Sequence, residues 1–236
     1  MDITSVNNER VKYWSKLKIK KFRDEEKKFL IEGDHLVDIA LEKGLVLDLI
    51  TLDNNYDFEN KYIVTEEIMK KISNQVSISR VAAVCKYDYK NDYVGNVIML
   101  DRLQDPGNLG TIIRSAIAFD FKTIILGNGT VDIYNEKTIR ASEGMLFNIN
   151  IVKEDLFTSI PKLKKEGYSV VGTDVNSGTN LTKGKIALII GNEGQGMDEK
   201  LKPLCDSLVH IPMNKDCESL NAGVAASILM YEVYHG

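Results

Sequence analysis

The sequence predicts an α/β protein whose larger part is a parallel β-sheet with helices on both faces. The composition is that of a folded domain, with 44% hydrophobic and 27% charged residues in a chain of 236. From residue 97 onward, short runs rich in β-branched residues alternate with helical stretches. This alternation is the pattern of strand–helix–strand units, which build parallel sheets covered by helices.

The first third of the chain predicts a small, mixed α/β region. Val11, Trp14 and Leu17 recur at helical spacing, so residues 8–19 predict an amphipathic helix. Further helices are expected at 34–43 and 66–72, and strands at 29–32, 45–52, 62–65 and 81–87.

The second region carries the alternating pattern. Its predicted strands are 97–101, 123–127, 149–152, 169–173, 186–190 and 208–212. Its predicted helices are 109–119, 135–144, 156–166, 198–205 and 219–234. The polar stretch 88–96 separates the two regions, so we expect one domain at 1–92 and a second at 93–236.

Several protein classes are excluded by simple features of the sequence. The longest apolar runs, such as 186–190, fall far short of the roughly 18 residues that a membrane span needs. The N-terminus has no apolar signal segment, and we expect a cytoplasmic protein. No disulfide framework or metal site is expected from the widely spaced cysteines and histidines, which are Cys85, Cys205, Cys217, His35, His210 and His235.

The charge is distributed unevenly along the chain. The whole sequence has a net charge of −4, yet residues 10–28 carry nine basic and three acidic side chains, a net charge of +6. A basic stretch on an acidic body is typical of a contact with a polyanion, although a solvated helix face also accounts for it. The candidate RNA contacts in this stretch are Lys18, Lys20, Lys21 and Arg23.

Three loops that follow predicted strands carry unusual residues, and ligands of parallel sheets bind at such loops. The first, after 97–101, is a glycine- and proline-containing turn that enters a helix, with Asn108 at the helix start and Arg114 six residues later. Its spacing fits neither a dinucleotide fingerprint nor a P-loop. Taken alone, Asn108 could be a helix cap and Arg114 a surface residue.

The other two loops follow the predicted strands near 190 and 210. Residues 191–198 place Glu193 among three glycines, which would let the backbone approach a ligand closely. After the second strand, a polar loop precedes an apolar helix that Ser219 could cap, with Asn221 in its first turn.

Together these loops resemble the three motifs of the SpoU branch of the SPOUT methyltransferases, the TrmH-like RNA ribose 2′-O-methyltransferases. The first motif is matched by Asn108, Gly110 and Arg114. The second is matched by Gly191, Glu193, Gly194 and Gly196. The third is matched by Ile211, Pro212, Met213, Glu218, Ser219, Leu220 and Asn221. The N-terminal third is similar to the family's L30e-like RNA-binding domain, through Phe29–Gly33.

The resemblance implies a trefoil knot in the C-terminal domain, a homodimer formed through that domain, and S-adenosylmethionine as the cofactor. By motif, the cofactor would be bound by Gly191, Ile211 and Leu220, with Thr173 and Met213 lining the same pocket. The implied catalytic residue is Arg114, supported by Asn108, Glu193, Ser219 and Asn221.

The expected reaction is methyl transfer to a ribose 2′-hydroxyl. The sulfonium methyl is already activated and needs no metal, so the enzyme must align the groups and aid loss of the hydroxyl proton. Whether Arg114 is the base or only positions the RNA is left open, because guanidinium barely deprotonates in proteins. Ribosomal RNA, notably 23S rRNA, is favoured over transfer RNA; the alternative is an RNA-binding protein that has lost the activity.

Overall fold

The computed structural model describes residues 1–73, 77–174, 178 and 184–236. Its contacts divide the chain into two units. The first contains Met1–Asp88 together with Tyr134–Ile139, and the second contains Tyr89–Ile133 and Arg140–Gly236.

The first unit is built on a mixed five-stranded sheet. Its strands are β1 (Asp2–Ile3), β2 (Lys28–Glu32), β3 (Val46–Thr51), β4 (Lys61–Val64) and β5 (Val81–Lys86). Its helices are α1 (Glu9–Lys16), α2 (Lys20–Glu26), α3 (Asp34–Glu42) and α4 (Glu66–Ile72). The strand order is β1-β4-β3-β5-β2, with β5 antiparallel to both of its neighbours.

The predicted helix at 8–19 is shorter than expected, and a second helix follows it. Helix α1 ends at Lys16, and Ile19 takes an extended conformation (φ −92°, ψ 120°) before α2 begins. The Arg23 guanidinium then donates two hydrogen bonds of 2.8 Å, to the carbonyls of Leu17 and Lys18. These carbonyls lie just beyond the end of α1, where no helical partner is available to them.

Trp14 organises the core of the first unit. Its side chain is fully buried, its ring packs edge-on against Tyr62, and its indole N–H donates to Asp48 at 2.9 Å. The helical spacing that predicted α1 therefore points Val11 and Trp14 onto the sheet, as a buried apolar stripe requires.

The second unit contains a seven-stranded sheet in which every pairing is parallel. Its strands are β6 (Tyr89–Lys90), β7 (Asn96–Leu100), β8 (Phe121–Leu126), β9 (Asn150–Lys153), β10 (Ser169–Thr173), β11 (Ile186–Ile190) and β12 (Ser207–Val209). The order is β12-β10-β11-β7-β8-β9-β6. The predicted α/β class with a parallel sheet is confirmed, while β6 forms within the stretch expected to be a linker.

The described residues from 91 to the C-terminus form four α-helices, α5 (Pro106–Ala118), α6 (Glu136–Ala141), α7 (Leu156–Lys165) and α8 (Ala222–His235), of which α6 begins in the first unit. The helix predicted at 198–205 is wrong: only the 3-10 turn Lys202–Leu204 forms there. Pro203 lies inside that segment and has no N–H to donate, which opposes a regular α-helix.

Two predicted helix starts also need correction. Helix α8 is capped by Asn221, whose side chain accepts from the Val224 amide, and not by Ser219. Helix α5 is capped by Asp105, so Asn108 lies inside the first turn, where it is buried. In both cases an asparagine side chain, that of Asn221 or Asn108, lies at a helix start that determines its position.

The order of the second sheet places β7, β11, β10 and β12 side by side, so the loops after these strands leave the same edge. Residues 175–177 and 179–183, between β10 and β11, lie outside the described residues, and the trefoil knot implied by the resemblance stays a prediction. No helix among the described residues is long and apolar enough to span a membrane.

Candidate active site

A cavity of about 380 Å³ opens where β10, β11 and β12 end. This volume is within the roughly 300–1,000 Å³ that is usual for small-molecule sites. The five residues predicted to bind the cofactor all line it, namely Thr173, Gly191, Ile211, Met213 and Leu220. Glu193 and Ser219, predicted from the catalytic motifs, line it as well.

One wall of the cavity is the glycine loop, residues 191–196. Asn192 and Gly196 exchange two backbone hydrogen bonds of 3.0 and 2.9 Å, which close the loop on itself. A Cβ on Gly191 would lie 2.2 Å from the Met197 nitrogen, and Gly196 has a φ of +69°. The loop closes in this way because glycine stands at both positions.

Glu193 extends from the glycine loop toward the start of α5. Its carboxylate accepts from the amides of Gln104 (3.0 Å) and Asp105 (2.9 Å) and from the side-chain amide of Asn108 (3.1 Å). Three donors on one carboxylate fix both its position and its charged state.

The third motif joins the same network through Asn221. Its side-chain N–H donates to the Asn108 side-chain oxygen at 2.8 Å, while its own oxygen caps α8. Asn108 is therefore held on both sides, by Glu193 and by Asn221. The chain Glu193–Asn108–Asn221 connects the three motif loops directly through side chains.

The ionisation of Glu193 follows from these contacts. Burial raises the pKa of its carboxyl, but the hydrogen bonds from Asp105, Gln104 and Asn108 outweigh burial and leave the pKa below its usual value. The group is therefore an anion at neutral pH. The stabilisation that it provides is present above its unfolded pKa and is lost as the pH falls through the folded pKa.

Comparison with known proteins identifies the family to which the chain belongs. Residues 95–231 match the SpoU rRNA Methylase family. The chain belongs to this family. Residues 8–83 match the MRM3-like substrate binding domain, so the two matches lie in the two sequence regions that were expected to differ in role.

Individual relatives of this SpoU methylase match along almost the whole chain. This chain is 37% identical to the 23S rRNA (guanosine(2553)-2′-O)-methyltransferase RlmP of Bacillus subtilis, and the match covers 98% of both chains. An AdoMet-bound rRNA methyltransferase from Sinorhizobium meliloti has a TM-score of 0.91 at 28% identity, covering 100% of this chain and 97% of that one. The SpoU methyltransferase AviRb of Streptomyces viridochromogenes, bound to AdoMet, has a TM-score of 0.84 at 26% identity and covers 97% of this chain and 98% of its own.

The predicted family and reaction class are confirmed by these matches. The chain is an S-adenosylmethionine-dependent RNA 2′-O-methyltransferase of the SpoU type. The residue roles implied by the motifs are a separate matter and depend on where each side chain lies.

Arg114 does not line the cavity of this SpoU chain. It lies on an exposed face of α5, and no hydrogen bond or ion pair of its side chain is found within the described residues. Ser219 faces the cavity but does not join the Glu193–Asn108–Asn221 chain. Among the predicted catalytic residues, the structure therefore brings three together and leaves Arg114 free to meet another molecule.

The four side chains that were predicted to contact RNA have different environments in the first unit. Arg23 is only 6% exposed and holds backbone carbonyls, so its guanidinium is not available to RNA, contrary to the prediction. Lys18 donates to the carbonyls of Lys71 and Ser73 and is partly buried. Lys20 and Lys21 are exposed, and Lys20 pairs with Asp24.

Other catalytic chemistries find no support in the parts of the chain that are described. No group of three His, Cys, Asp or Glu side chains there could hold a metal. Burial raises the pKa of the Cys205 thiol to about 11 and that of Cys85 further, so neither is a ready nucleophile. Cys217 is exposed, and its thiol donates to the Ser219 carbonyl at 3.4 Å.

Several residues of the site were missed from the sequence. Gln104 and Asp105 offer their backbone amides to Glu193, and Asn192 accepts from two amides within the glycine loop. Asp105 could have been found, because Asp before Pro is a usual helix-start signal. The role of Gln104 depends on a pairing between loops 89 positions apart, for which one sequence carries no signal.

Proposed function

We propose that this SpoU methylase acts on a ribose 2′-hydroxyl of 23S ribosomal RNA. The observation that carries the proposal is the chain Glu193–Asn108–Asn221, which joins the three motif loops at the rim of the cavity. The choice of 23S rRNA is supported by the Bacillus subtilis relative, which matches over nearly the whole length of both chains. Since ribosomal RNA is a cytoplasmic substrate in bacteria, we propose the same location for this enzyme.

The residues around the cavity fit S-adenosylmethionine. The glycine loop presents backbone beside Ile211 and Leu220, a combination that suits a flat apolar base and its polar edge. We assign Gly191, Ile211 and Leu220 to the cofactor, with Thr173 and Met213 beside them. When bound, the cofactor supplies a methyl group already activated by the sulfonium.

The catalytic roles follow from charge and position. Glu193 stays ionised and holds Asn108, so the start of α5 has one fixed geometry. Arg114, two turns along the same helix, would bind an RNA phosphate with its planar fork and orient the adjacent ribose. Ser219, at the cavity, would contact the substrate or the cofactor.

The N-terminal region, residues 1–92, is proposed to bind RNA. The described surface of α2 carries the exposed cations Lys20 and Lys21, and α1 adds Lys12 and Lys16. Their charge, on a chain whose net charge is −4, would attract the phosphate backbone.

Replacing Lys21 with alanine is expected to weaken RNA binding several-fold at low salt, because one phosphate contact is lost. The slope of log affinity against log salt should fall by about one. Filter binding over a salt series measures both quantities. Lys43→Ala, at an exposed lysine after α3, is the matched control; equal slopes for the two variants would argue against the assignment.

The second unit is proposed to form a homodimer through α8. Three large apolar side chains on this helix are exposed, Val224 (46%), Tyr231 (48%) and Tyr234 (57%), and Phe119, just after α5, packs edge-on against Tyr231. Their spacing of seven and three residues places them along one side of the helix. An exposed apolar strip of this kind is typical of a subunit contact.

Tyr231→Glu is expected to convert the dimer to a monomer, because it would bury an unpaired charge in the contact. Light scattering coupled to size exclusion gives the mass of each variant directly. Phe157→Glu changes an equally exposed aromatic residue (45%) on α7 and should leave the mass unchanged. A Tyr231→Glu protein that keeps the mass of the unaltered protein would contradict an α8 interface.

The reaction itself is tested by transfer of labelled methyl from S-adenosylmethionine to unmodified 23S rRNA. Digestion to nucleosides and mass spectrometry should then show one 2′-O-methylated nucleoside. Label in transfer RNA alone would overturn the ribosomal assignment. Tight RNA binding without any transfer, in protein that binds the cofactor and is given assembled ribosomal particles, would favour a scaffold that has lost the activity.

A further inference from the structure

Arg102, the second residue after β7, has an unusual backbone conformation. Its φ is +55°, in the left-handed region that residues with a side chain seldom adopt. This conformation directs its carbonyl toward the side-chain amide of Asn192, which donates to it at 2.8 Å. Gln104 donates to the same carbonyl at 3.0 Å. The backbone of Arg102 is thus fixed by contacts from two loops.

The side chain of Arg102 reaches the same glycine loop from the other end. Its guanidinium donates to the Gln195 side-chain oxygen at 2.9 Å and to the Gly196 carbonyl at 3.4 Å. The guanidinium is held in this direction by two hydrogen bonds to Asp101, of 2.9 and 3.0 Å. A planar guanidinium group that is hydrogen-bonded at both edges keeps one orientation.

Asp101 completes the arrangement. Its side chain is 8% exposed, and it also accepts from the Asp198 amide at 2.7 Å, beyond the end of the glycine loop. Hydrogen bonds therefore hold the loop at its start through Asn192 and at its far end through Gln195 and Gly196. A further hydrogen bond holds Asp198, just after the loop. Arg102 or its partner Asp101 makes each of these hydrogen bonds.

We propose that Arg102 is a positioning residue that sets the glycine loop in the shape that receives the cofactor. It does not line the cavity, so it acts through Asn192, Gln195 and Gly196. The proposal rests on the proposed cofactor site. It explains why a residue with a long side chain occupies a left-handed position where Gly or Asn would be less strained.

The test compares S-adenosylmethionine binding by calorimetry with steady-state kinetics. Arg102→Asn keeps a residue that tolerates the left-handed backbone but removes the guanidinium. We expect its dissociation constant and KM for the cofactor to rise about tenfold, while kcat at saturating cofactor stays within about twofold. Arg102→Lys, which keeps the charge without the fork, should recover only part of the affinity.

A second variant covers the case in which Arg102→Asn does not fold. Gln195→Ala leaves the Asp101–Arg102 pair in place and removes one hydrogen bond, so a smaller rise in KM is expected. The double variant should bind no more weakly than Arg102→Asn, because both changes break the same connection. Fully additive losses, or an unchanged affinity in folded Arg102→Asn, would overturn the proposal.

Different measurements test the proposed cofactor site and the proposed role of Arg102. Binding of S-adenosylmethionine by the unaltered protein, and its loss in Gly191→Ala, tests the site. The contrast between Arg102→Asn and Lys122→Asn, a surface cation paired with Asp120, tests Arg102. An equal change in these last two variants would count against Arg102 alone.

Discussion

Arg114→Ala is expected to lower methyl transfer by about a thousandfold while leaving S-adenosylmethionine binding intact. The residue is exposed, has no partner in the described part of the chain and does not line the cavity, so its removal should not disturb the cofactor. What is lost is the positively charged guanidinium that would orient phosphate and ribose, and loss of one such transition-state contact lowers rates by about a hundred- to a thousandfold. Single-turnover transfer to RNA measures the change.

Arg114→Lys tests whether positive charge alone supports methyl transfer or whether the planar geometry of the guanidinium is needed. A lysine keeps the positive charge but cannot make two parallel hydrogen bonds to phosphate, so recovery should be slight. Lys122→Ala, an exposed cation of the same unit, serves as the control and should retain full activity. Substantial transfer by Arg114→Ala would remove Arg114 from the catalytic assignment.

Gly191→Ala is expected to weaken cofactor binding by about a hundredfold. The added Cβ would stand 2.2 Å from the Met197 nitrogen and 2.4 Å from the Gly196 carbonyl carbon. Both are backbone atoms, so the loop cannot make room by turning a side chain and must open. Overpacking against backbone costs about 1–3 kcal/mol, which corresponds to up to about a hundredfold in affinity.

The same loop offers a closely matched control. At Gly194 the nearest atom to an added Cβ is the Asn192 side-chain oxygen at 3.8 Å, an ordinary contact. Gly194→Ala should therefore bind S-adenosylmethionine nearly as well as the unaltered protein. Calorimetry on the pair distinguishes crowding at one position from a general effect of losing a glycine. Unaltered affinity in Gly191→Ala as well as in Gly194→Ala would show that the observed loop closure is not needed for binding.

The fold of the second unit could be predicted because its signals are local. Each buried strand is a short apolar run, and alternation with helices leaves a parallel sheet as the natural arrangement. The errors lie where a tertiary contact decides the outcome. Ile19 breaks the first helix, and Arg23 then binds the carbonyls of Leu17 and Lys18, so a cation counted as an RNA contact is structural.

The candidate site was predictable only as far as motifs reach. Gly191, Ile211 and Leu220 were predicted to bind the cofactor through the motifs of the family that the sequence resembles, and all three line the same cavity. Arg102 and Asn192 could not be found, since each matters through a partner about 90 positions away. A left-handed arginine has no sequence signature either, because Gly or Asn is the residue expected there.

The chain Glu193–Asn108–Asn221 also bears on the order of folding. Its two side-chain bonds span 85 and 113 positions, and the second requires the last helix to be docked. Contacts of such long range form late, because loop closure must come before any gain from them. The cofactor pocket should thus be among the last features to appear during refolding. Recovery of S-adenosylmethionine binding would then lag behind recovery of helical circular dichroism and would serve as a kinetic signal that the C-terminal helix has reached its place.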